Sequence, residues 1–120
     1  MHVLVTGAGS GIGRSISITL AERGHTLILL GRSFENLEFT KRLLKNSEQH
    51  QCHTCDIRNS EEIKKALENV SSLYALIANA GVGGENQYGD QDRWQEVVDT
   101  NLTGTYQTIQ ECLPLIKKNS

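Results

Sequence analysis

Residues 6–13 read Thr-Gly-Ala-Gly-Ser-Gly-Ile-Gly. They follow a short apolar run, His2 to Thr6, and precede a predicted helix, Arg14 to Arg23, that closes at Gly24. Glycines between a strand and a helix permit a sharp turn and let the backbone approach a pyrophosphate. The amino end of the helix offers unpaired N–H groups to that anion. The stretch predicts a dinucleotide-binding turn, with a ligand-free glycine loop as the alternative. No Lys-Ser/Thr pair follows the last glycine, as a P-loop requires.

Strand and helix patterns alternate along the chain. Continuous apolar runs such as Thr26 to Leu30 are typical of strands covered on both faces. The alternation predicts the α/β class: one Rossmann-type, doubly wound parallel sheet over residues 1–120, truncated after about four strands, with order 3-2-1-4. Two further strands are predicted, at Gln51 to Cys55 and Tyr74 to Ala78. Three further helices are predicted to begin after Ser33, after Asn59 and from about Asp92. Asn59 is the expected cap of its helix, and Glu62 is expected to reach back to it.

Charge and hydropathy argue against several classes of protein. Twelve basic and 14 acidic residues give a net charge of −2, which favours neither nucleic acid nor an anionic membrane surface as a partner. No apolar run approaches the ~18 residues of a membrane span. An odd number of cysteines, three, and an amino terminus that begins directly with a strand predict a cytoplasmic protein.

Several ordered motifs resemble those of the short-chain dehydrogenases/reductases. The family's TGxxxGIG turn is matched by Thr6 and the glycines that follow it, and Ala78 stands where the family usually has a further asparagine. The other matching segments are Cys55-Asp56-Ile57, Asn79-Ala80-Gly81, Trp94 with the Asp-Thr-Asn-Leu-Thr-Gly of residues 99–104, and Leu113-Pro114. The resemblance covers the whole chain and implies a nicotinamide dinucleotide as cofactor.

The resemblance also implies which residues contact the cofactor. Asp56 would accept a hydrogen bond from the adenine amino group, or alternatively only cap the next helix. Asn79 would pass under the cofactor, or only tie neighbouring strands together; the two roles are compatible. The full set of cofactor-binding residues implied by the turn and by the resemblance is Thr6, Gly7, Ser10, Gly11, Ile12, Gly13, Asp56, Ile57, Asn79, Ala80 and Gly81.

The end of the second strand predicts which dinucleotide is preferred. In Rossmann proteins an acid at this point binds the ribose 2′-hydroxyl of NAD, whereas a nearby arginine accommodates the 2′-phosphate of NADP. Gly31 occupies the acid position here, and Arg32 and Ser33 follow it. A guanidinium fork and a hydroxyl suit a phosphate, so we expect NADP to be preferred and NAD to be the alternative. An ordinary solvated arginine is the competing interpretation of Arg32.

The resemblance implies a catalytic tetrad of asparagine, serine, tyrosine and lysine, of which Asn101 matches the asparagine. None of the three tyrosines is followed four residues later by a lysine. We therefore expect the front half of an enzyme that transfers hydride between a nicotinamide cofactor and a carbonyl or alcohol, and expect the isolated chain to be inactive. The alternatives are a non-catalytic nucleotide-binding or regulatory module, and a remnant that folds poorly.

Two further expectations concern partners and metals. A sheet cut after its fourth strand exposes a long apolar edge and one face of the last helix, which predicts a homodimer or higher self-association. The resemblance agrees, because the family's helix carrying the Asn101 position commonly packs between subunits. Cys52 and Cys55 form a Cys-x-x-Cys with flanking histidines, but on a strand they point to opposite faces, so no metal site is predicted.

Overall fold

The computed structural model describes residues 1–81 and 93–118. Within those residues, none of the helices combines the length and the apolarity that a membrane crossing needs. The elements, in chain order, are β1 (His2–Thr6), α1 (Gly11–Glu22), β2 (Thr26–Gly31), α2 (Phe34–Leu43), a 3₁₀ turn (Ser47–Gln49), β3 (Gln51–Thr54), α3 (Ser60–Leu67), β4 (Ala75–Ile77), α4 (Trp94–Val98), a π-helical segment (Asp99–Gly104) and α5 (Thr105–Lys118).

The sheet confirms the predicted class and strand order. Its four strands run in the order β3-β2-β1-β4, and every neighbouring pair is parallel. Alternate residues of the central strands enter two separate cores, because successive side chains of a strand point to opposite faces. Val3 and Val5 pack on the α1 and α2 side with Leu37, whereas Leu4 packs on the other side with Ile63 of α3. Helices thus cover both faces, which explains the continuous apolar runs.

Element bounds differ from the sequence-based ones at several ends. Helix α1 begins at Gly11 rather than Arg14, because the last glycines of the turn already form its first turn. Strand β3 ends one residue early, at Thr54, and β2 extends to Gly31. The expected long apolar edge is wrong: β4 has only three residues, all half-buried, because it pairs with β1 only over Val3–Val5.

The predicted cap residues of α2 and α3 are confirmed, and only the partner of Glu62 differs from the prediction. The Ser33 hydroxyl accepts a hydrogen bond from the Asn36 N–H at 3.3 Å. Asn59 caps α3, where its side chain accepts from the Glu61 N–H at 3.0 Å. Glu62 does reach back, but to the Asp56 N–H at 3.2 Å rather than to the cap's own N–H. The Asn59 N–H already donates to the Asp56 carbonyl at 3.0 Å, so it does not need the glutamate.

The last helix differs from the single continuous helix that the sequence predicts from about Asp92, a residue outside the described ranges. Within them, a π-helical segment over Asp99–Gly104 separates α4 from α5. Short π segments widen the helix by one residue and occur frequently at functional sites. Gly104 ends the segment close to the sheet: a Cβ there would lie 2.8 Å from Cγ1 of Ile57. The glycine therefore lets this helix approach the carboxyl end of β3.

A buried histidine ties β3 to β2. His50 is 3% exposed. Its Nδ1 accepts from the Leu27 N–H at 3.0 Å, and its Nε2 lies 2.8 Å from the Lys45 carbonyl. Since Nδ1 accepts, Nε2 carries the proton and donates, so the ring is held as one neutral tautomer. The imidazole therefore pairs one backbone donor and one backbone acceptor.

Replacing His50 by phenylalanine is expected to destabilise the fold. The ring volume is kept, but the Leu27 N–H and the Lys45 carbonyl lose their partners, so we expect the free energy of unfolding to fall by about 2–3 kcal/mol. Urea denaturation followed by circular dichroism measures the loss. His53→Phe is the matched control, because that partly exposed ring lies three residues further along, in β3, and hydrogen-bonds the Gln51 side chain, at 3.2 Å, rather than the backbone. Equal losses in the two variants would contradict the interpretation.

Candidate cofactor site

The carboxyl ends of all four strands meet at one edge of the sheet, where the strand order reverses between β1 and β4. In open α/β sheets, ligands bind at such a switch point. Two cavities adjoin there and share Gly7, Gly31 and Arg32 in their walls. One, of about 250 Å³, also includes Ser10 and Ser33. The other, of about 90 Å³, lies toward the ends of β3 and β4. Together they form a groove over the ends of all four strands.

The glycine turn leaves open space in front of the helix. Gly7 and Gly11 have φ of +64° and +52°, which L side chains rarely adopt. A Cβ on Gly13 would lie 2.1 Å from the Gly7 carbonyl oxygen, whereas nothing lies within 4 Å of one on Gly11. The Ser10 side chain does not cap α1. The first-turn N–H groups therefore remain available to an anion, so the turn fits a pyrophosphate.

Thr6 and Asn79 join the glycine turn to the end of β4. The Thr6 hydroxyl is buried and accepts from the backbone N–H groups of Asn79 and Ala80 at 3.0 and 2.9 Å. The Asn79 side chain donates to the Gly7 carbonyl at 3.3 Å. Both residues thus make structural contacts behind the groove. These contacts correspond to the strand-tying role considered for Asn79.

Arg14 and Thr40 brace the turn from behind, and the sequence does not indicate either of them. The Thr40 hydroxyl donates to the Ala8 carbonyl at 2.8 Å, and Arg14 Nε donates to that hydroxyl, also at 2.8 Å. The guanidinium of Arg14 further contacts the Gly9 carbonyl and lies 4.7 Å from the ring centre of Phe39. These partners lie on another helix, so no local pattern marks them.

Arg32 lies exposed at the rim of the groove. Within residues 1–81 and 93–118 it forms no ion pair. Ser33 uses its oxygen as an acceptor in capping α2, which leaves its O–H to donate. Glu35 lies in the first turn of α2, where a carboxylate suits the helix dipole. The structure therefore brings a guanidinium and a hydroxyl donor together at the end of β2.

Asp56 is held by a residue that the sequence does not indicate, Arg58. The Arg58 Nε lies 3.0 and 3.1 Å from the two carboxylate oxygens, and Nη2 lies 2.6 Å from Oδ2. These hydrogen bonds hold the pKa of Asp56 below its ordinary value, although partial burial opposes the shift. The carboxylate therefore stays ionised and can only accept hydrogen bonds at the groove. Asn59, not Asp56, caps the next helix.

All the remaining predicted residues except Ile12 surround the smaller cavity or lie beside it. Ile57 is 5% exposed and lines the cavity with Ala80 and Gly81. A Cβ on Gly81 would lie 2.9 Å from Asn101 Oδ1, which places the predicted catalytic asparagine next to the turn after β4. Ile12 projects away from the core, 71% exposed, and lines neither cavity.

The two cysteines of the Cys-x-x-Cys motif, Cys52 and Cys55, lie apart from one another. Cys52 packs against the core on the α1 and α2 side, whereas Cys55 lies in the core on the opposite face of the sheet. Burial raises the pKa of each thiol to about 11, so both stay protonated near neutral pH. Among the described residues, no group of three or more His, Cys, Asp or Glu side chains could hold a metal ion.

Comparison with known proteins identifies the family. The sequence profile described as short chain dehydrogenase matches residues 1–120, and the chain belongs to that family. An uncharacterized oxidoreductase of Staphylococcus aureus is 35% identical, over 98% of this chain and 53% of its own length. The chain thus spans about half the length of that relative.

Solved structures agree with this assignment. Serine dehydrogenase from Escherichia coli superposes with a TM-score of 0.85 at 30% identity, over 99% of this chain and 57% of that protein. An actinorhodin polyketide ketoreductase, solved with NADPH, superposes with a TM-score of 0.82 at 32% identity. The match covers 93% of this chain and 46% of that protein. The family binds nicotinamide cofactors, and the resemblance carried by the motifs is confirmed as membership.

Proposed function

We propose that this chain is the NADP(H)-binding half of an oxidoreductase that transfers hydride between a nicotinamide cofactor and a carbonyl or alcohol. The observation that carries the proposal is the groove at the strand ends, in which an open glycine turn and the exposed guanidinium of Arg32 share one wall. The proposal includes a cytoplasmic location, since Cys52, Cys55 and Cys112 are free thiols and a reducing compartment keeps thiols in that form.

The described residues suit successive parts of the dinucleotide. The N–H groups at Gly11 and the start of α1 would bind the pyrophosphate through hydrogen bonds and the helix dipole. Arg32 and Ser33 would bind the 2′-phosphate, and Asp56 would accept from the adenine amino group. Ile57 would contact the ring in the smaller cavity. Each assignment pairs a group of the cofactor with a complementary donor, acceptor or apolar surface of the chain.

When bound, the nicotinamide supplies or accepts the hydride. The chain's part is to hold the dinucleotide and to place Asn101 beside the turn at Gly81. By the family resemblance, Asn101 would support a water that connects to the lysine of the tetrad. The tyrosine that exchanges the proton has no counterpart in these 120 residues, because no Tyr-x-x-x-Lys is present. We therefore expect cofactor binding without carbonyl reduction from the isolated chain.

Calorimetric titration of the chain with NADPH, beside a turnover assay, tests the proposal. We expect saturable binding and no NADPH-dependent reduction of a panel of ketones and aldehydes. Absence of binding by a folded sample would overturn the cofactor assignment. Carbonyl reduction by pure 120-residue material would overturn the expectation of inactivity.

The same absence of Tyr-x-x-x-Lys also favours a second candidate, a nucleotide-binding or regulatory module that performs no chemistry. Binding alone does not separate the two. The reading frame beyond codon 120 does: a following serine and Tyr-x-x-x-Lys would favour the oxidoreductase, and a stop codon would favour the module.

We further infer that copies of the chain associate through the last helix. Three large apolar side chains of α5 lie three or four residues apart, a spacing that puts them on one helix face, and a fourth precedes them in the π-helical segment. They are exposed by 69%, 61%, 44% and 40% at Leu102, Tyr106, Ile109 and Leu113, respectively. A contiguous apolar stripe of this kind is typical of a protein interface. A homodimer would bury it.

Ile109→Lys is expected to convert the dimer into a monomer. A lysine would place a charge in the centre of the stripe, where burial without a partner is costly. Sedimentation velocity measures the change. Leu43→Lys is the matched control, because Leu43 of α2 is similarly exposed, at 48% against 44% for Ile109, and lies outside the stripe. A wild-type chain that sediments as a monomer would contradict the proposed association.

A further inference from the structure

Arg14 carries a half-buried charge that forms no ion pair with the described part of the chain. Its guanidinium donates instead to neutral oxygens: the Thr40 hydroxyl at 2.8 Å, the Asn36 carbonyl at 3.3 Å and the Gly9 carbonyl. Its Cζ lies 4.7 Å from the ring centre of Phe39. Charges taken out of water are usually paired, because their desolvation is costly. The state of Arg14 therefore favours an anion bound nearby.

Two of the oxygens held by Arg14 and Thr40 belong to the glycine turn. The Thr40 hydroxyl donates to the Ala8 carbonyl at 2.8 Å, and Arg14 contacts the carbonyl that follows it, that of Gly9. A Cβ on Gly9 would lie 3.0 Å from the Asn36 Cβ, so the turn packs directly on α2. Both carbonyls are thus held on the α2 side of the turn.

The direction of these carbonyls determines the direction of two N–H groups. In a trans peptide unit the carbonyl and the N–H point in opposite directions. The Gly9 carbonyl shares its peptide unit with the Ser10 N–H, and the Ala8 carbonyl shares its unit with the Gly9 N–H. Gly9 and Ser10 line the larger cavity of the groove, and Arg14 does not. The two N–H groups are therefore turned away from Arg14, on the side of the turn that the cavity occupies.

Arg14 thereby acts on the cavity through a peptide unit. Arg32 and Ser33 line the same cavity, where they bind the 2′-phosphate under the proposed function, on which this step rests. A cation bound to the carbonyl of a peptide unit polarises it, so that its N–H becomes a stronger donor. We infer that Arg14 is a positioning residue for the 2′-phosphate. It orients and polarises the Gly9–Ser10 peptide unit without touching the cofactor, and so adds to the preference for NADPH over NADH.

Arg14→Gln tests the role of the charge, because glutamine keeps a side-chain donor and removes the charge. We expect NADPH to bind about fivefold more weakly, the size expected for one partly screened charge, and NADH to bind almost as in the wild type. Calorimetry with the two dinucleotides measures the ratio. A merely structural role would weaken both by the same factor, because both carry the pyrophosphate that the turn would bind. Arg14→Lys, which keeps the charge, should retain most of the preference.

Arg42→Gln is the matched control, because it removes a charge from the same outer surface. Arg42 lines the cavity outside the groove together with Arg14, and its guanidinium lies 5.8 Å from the ring centre of Phe39. It lines neither cavity of the groove. Glu35 and Glu38 line the outer cavity too, but in the described part of the chain neither forms an ion pair with either arginine. Arg42→Gln should leave the ratio of the two affinities unchanged.

Two fragments of the cofactor locate the effect. Adenosine 2′-phosphate carries only the phosphate that distinguishes NADPH, and adenosine 5′-phosphate carries one phosphate at the pyrophosphate end. Arg14→Gln should weaken the first by the same factor as NADPH and leave the second unaffected. In the wild-type chain, adenosine 2′-phosphate should also shift the amide proton resonance of Ser10 in nuclear magnetic resonance spectra, and the shift should be smaller in Arg14→Gln.

Several results would overturn the assignment. An unchanged ratio in Arg14→Gln, or equal losses for the two dinucleotides, would remove the role of Arg14 and leave the proposed function intact. If Arg14→Gln does not fold, the wild-type spectra decide, since a Ser10 amide resonance that does not respond to adenosine 2′-phosphate contradicts the proposed contact. A wild-type chain that binds neither dinucleotide would instead overturn the proposed function, and this assignment with it.

Discussion

Gly13→Ala is expected to lose both cofactor binding and a large part of the protein's stability. A Cβ at position 13 would lie 2.1 Å from the Gly7 carbonyl oxygen and 2.7 Å from the Asn79 side-chain nitrogen. The nearer atom belongs to the backbone of a turn that has little room to move. Relieving this overlap separates α1 from the turn, which we expect to lower the free energy of unfolding by about 3 kcal/mol.

The same displacement should weaken NADPH binding, because the turn and the first N–H groups of α1 would bind the pyrophosphate together. Loss of one charge-assisted hydrogen bond, worth about 1.5 kcal/mol, weakens binding roughly tenfold. Urea denaturation measures the stability, and calorimetry with NADPH measures the affinity.

Two other glycines, one at each end of α1, separate steric overlap from backbone strain. Gly24 follows the carboxyl end of α1 with φ of +91°, and a Cβ there would have nothing within 4 Å. Gly24→Ala should therefore lower the free energy of unfolding only by the backbone strain, roughly 1–2 kcal/mol, and leave NADPH binding intact. Gly11→Ala has the same kind of strain but carries its methyl into the open space where the anion is proposed to bind. It should therefore weaken binding more than Gly24→Ala at a similar cost in stability. Wild-type stability in Gly13→Ala would show that the turn yields more easily than the geometry indicates.

The parts of the fold that the sequence predicts well are those fixed by local patterns. The run Thr26 to Leu30 is apolar at every position after the threonine, and β2 is buried on both faces as that pattern requires. The strand order follows from strands joined by helices, because right-handed crossovers leave few alternatives. The end of the glycine turn is predicted less well: its last three residues carry no apolar periodicity, yet they form the first turn of α1.

The residues that the sequence does not predict act over long separations or through an irregular backbone. Arg14 contacts Thr40 of α2, 26 positions away, and nothing in the local pattern of either marks the contact. Arg58 follows Asp56 by two residues, but only the turn geometry shows that it binds both carboxylate oxygens. Within residues 1–81 and 93–118 the buried hydroxyl of Thr100 has no hydrogen-bond partner, and it lies in a π-helical segment that the apolar spacing of the sequence does not reveal. Motifs thus locate the groove, and packing determines how its walls are held.

Arg32→Asp is expected to reverse the choice between the two dinucleotides. In the wild-type chain, the guanidinium would form charge-assisted hydrogen bonds to the 2′-phosphate, and within the described ranges no carboxylate pairs with it. An aspartate at this position would repel the phosphate and accept from the free 2′-hydroxyl of NADH. We expect the ratio of NADPH to NADH affinity to fall roughly a hundredfold, which corresponds to about 2.7 kcal/mol.

The controls distinguish a specific contact from a change in the field of the whole protein. Arg42→Asp changes the net charge by the same amount as Arg32→Asp. Arg42 lies in the last turn of α2, where its guanidinium is 5.8 Å from the ring centre of Phe39, and it lines neither cavity of the groove. It should leave the ratio close to that of the wild type. Arg32→Lys keeps the charge and loses the planar fork, so it should fall between the two. Since exposed charges are screened by salt, the preference for NADPH should also weaken from low to high ionic strength in the wild type, but not in Arg32→Asp. An unchanged ratio in Arg32→Asp would make Arg32 an ordinary solvated side chain and leave the choice of dinucleotide to other groups in the groove.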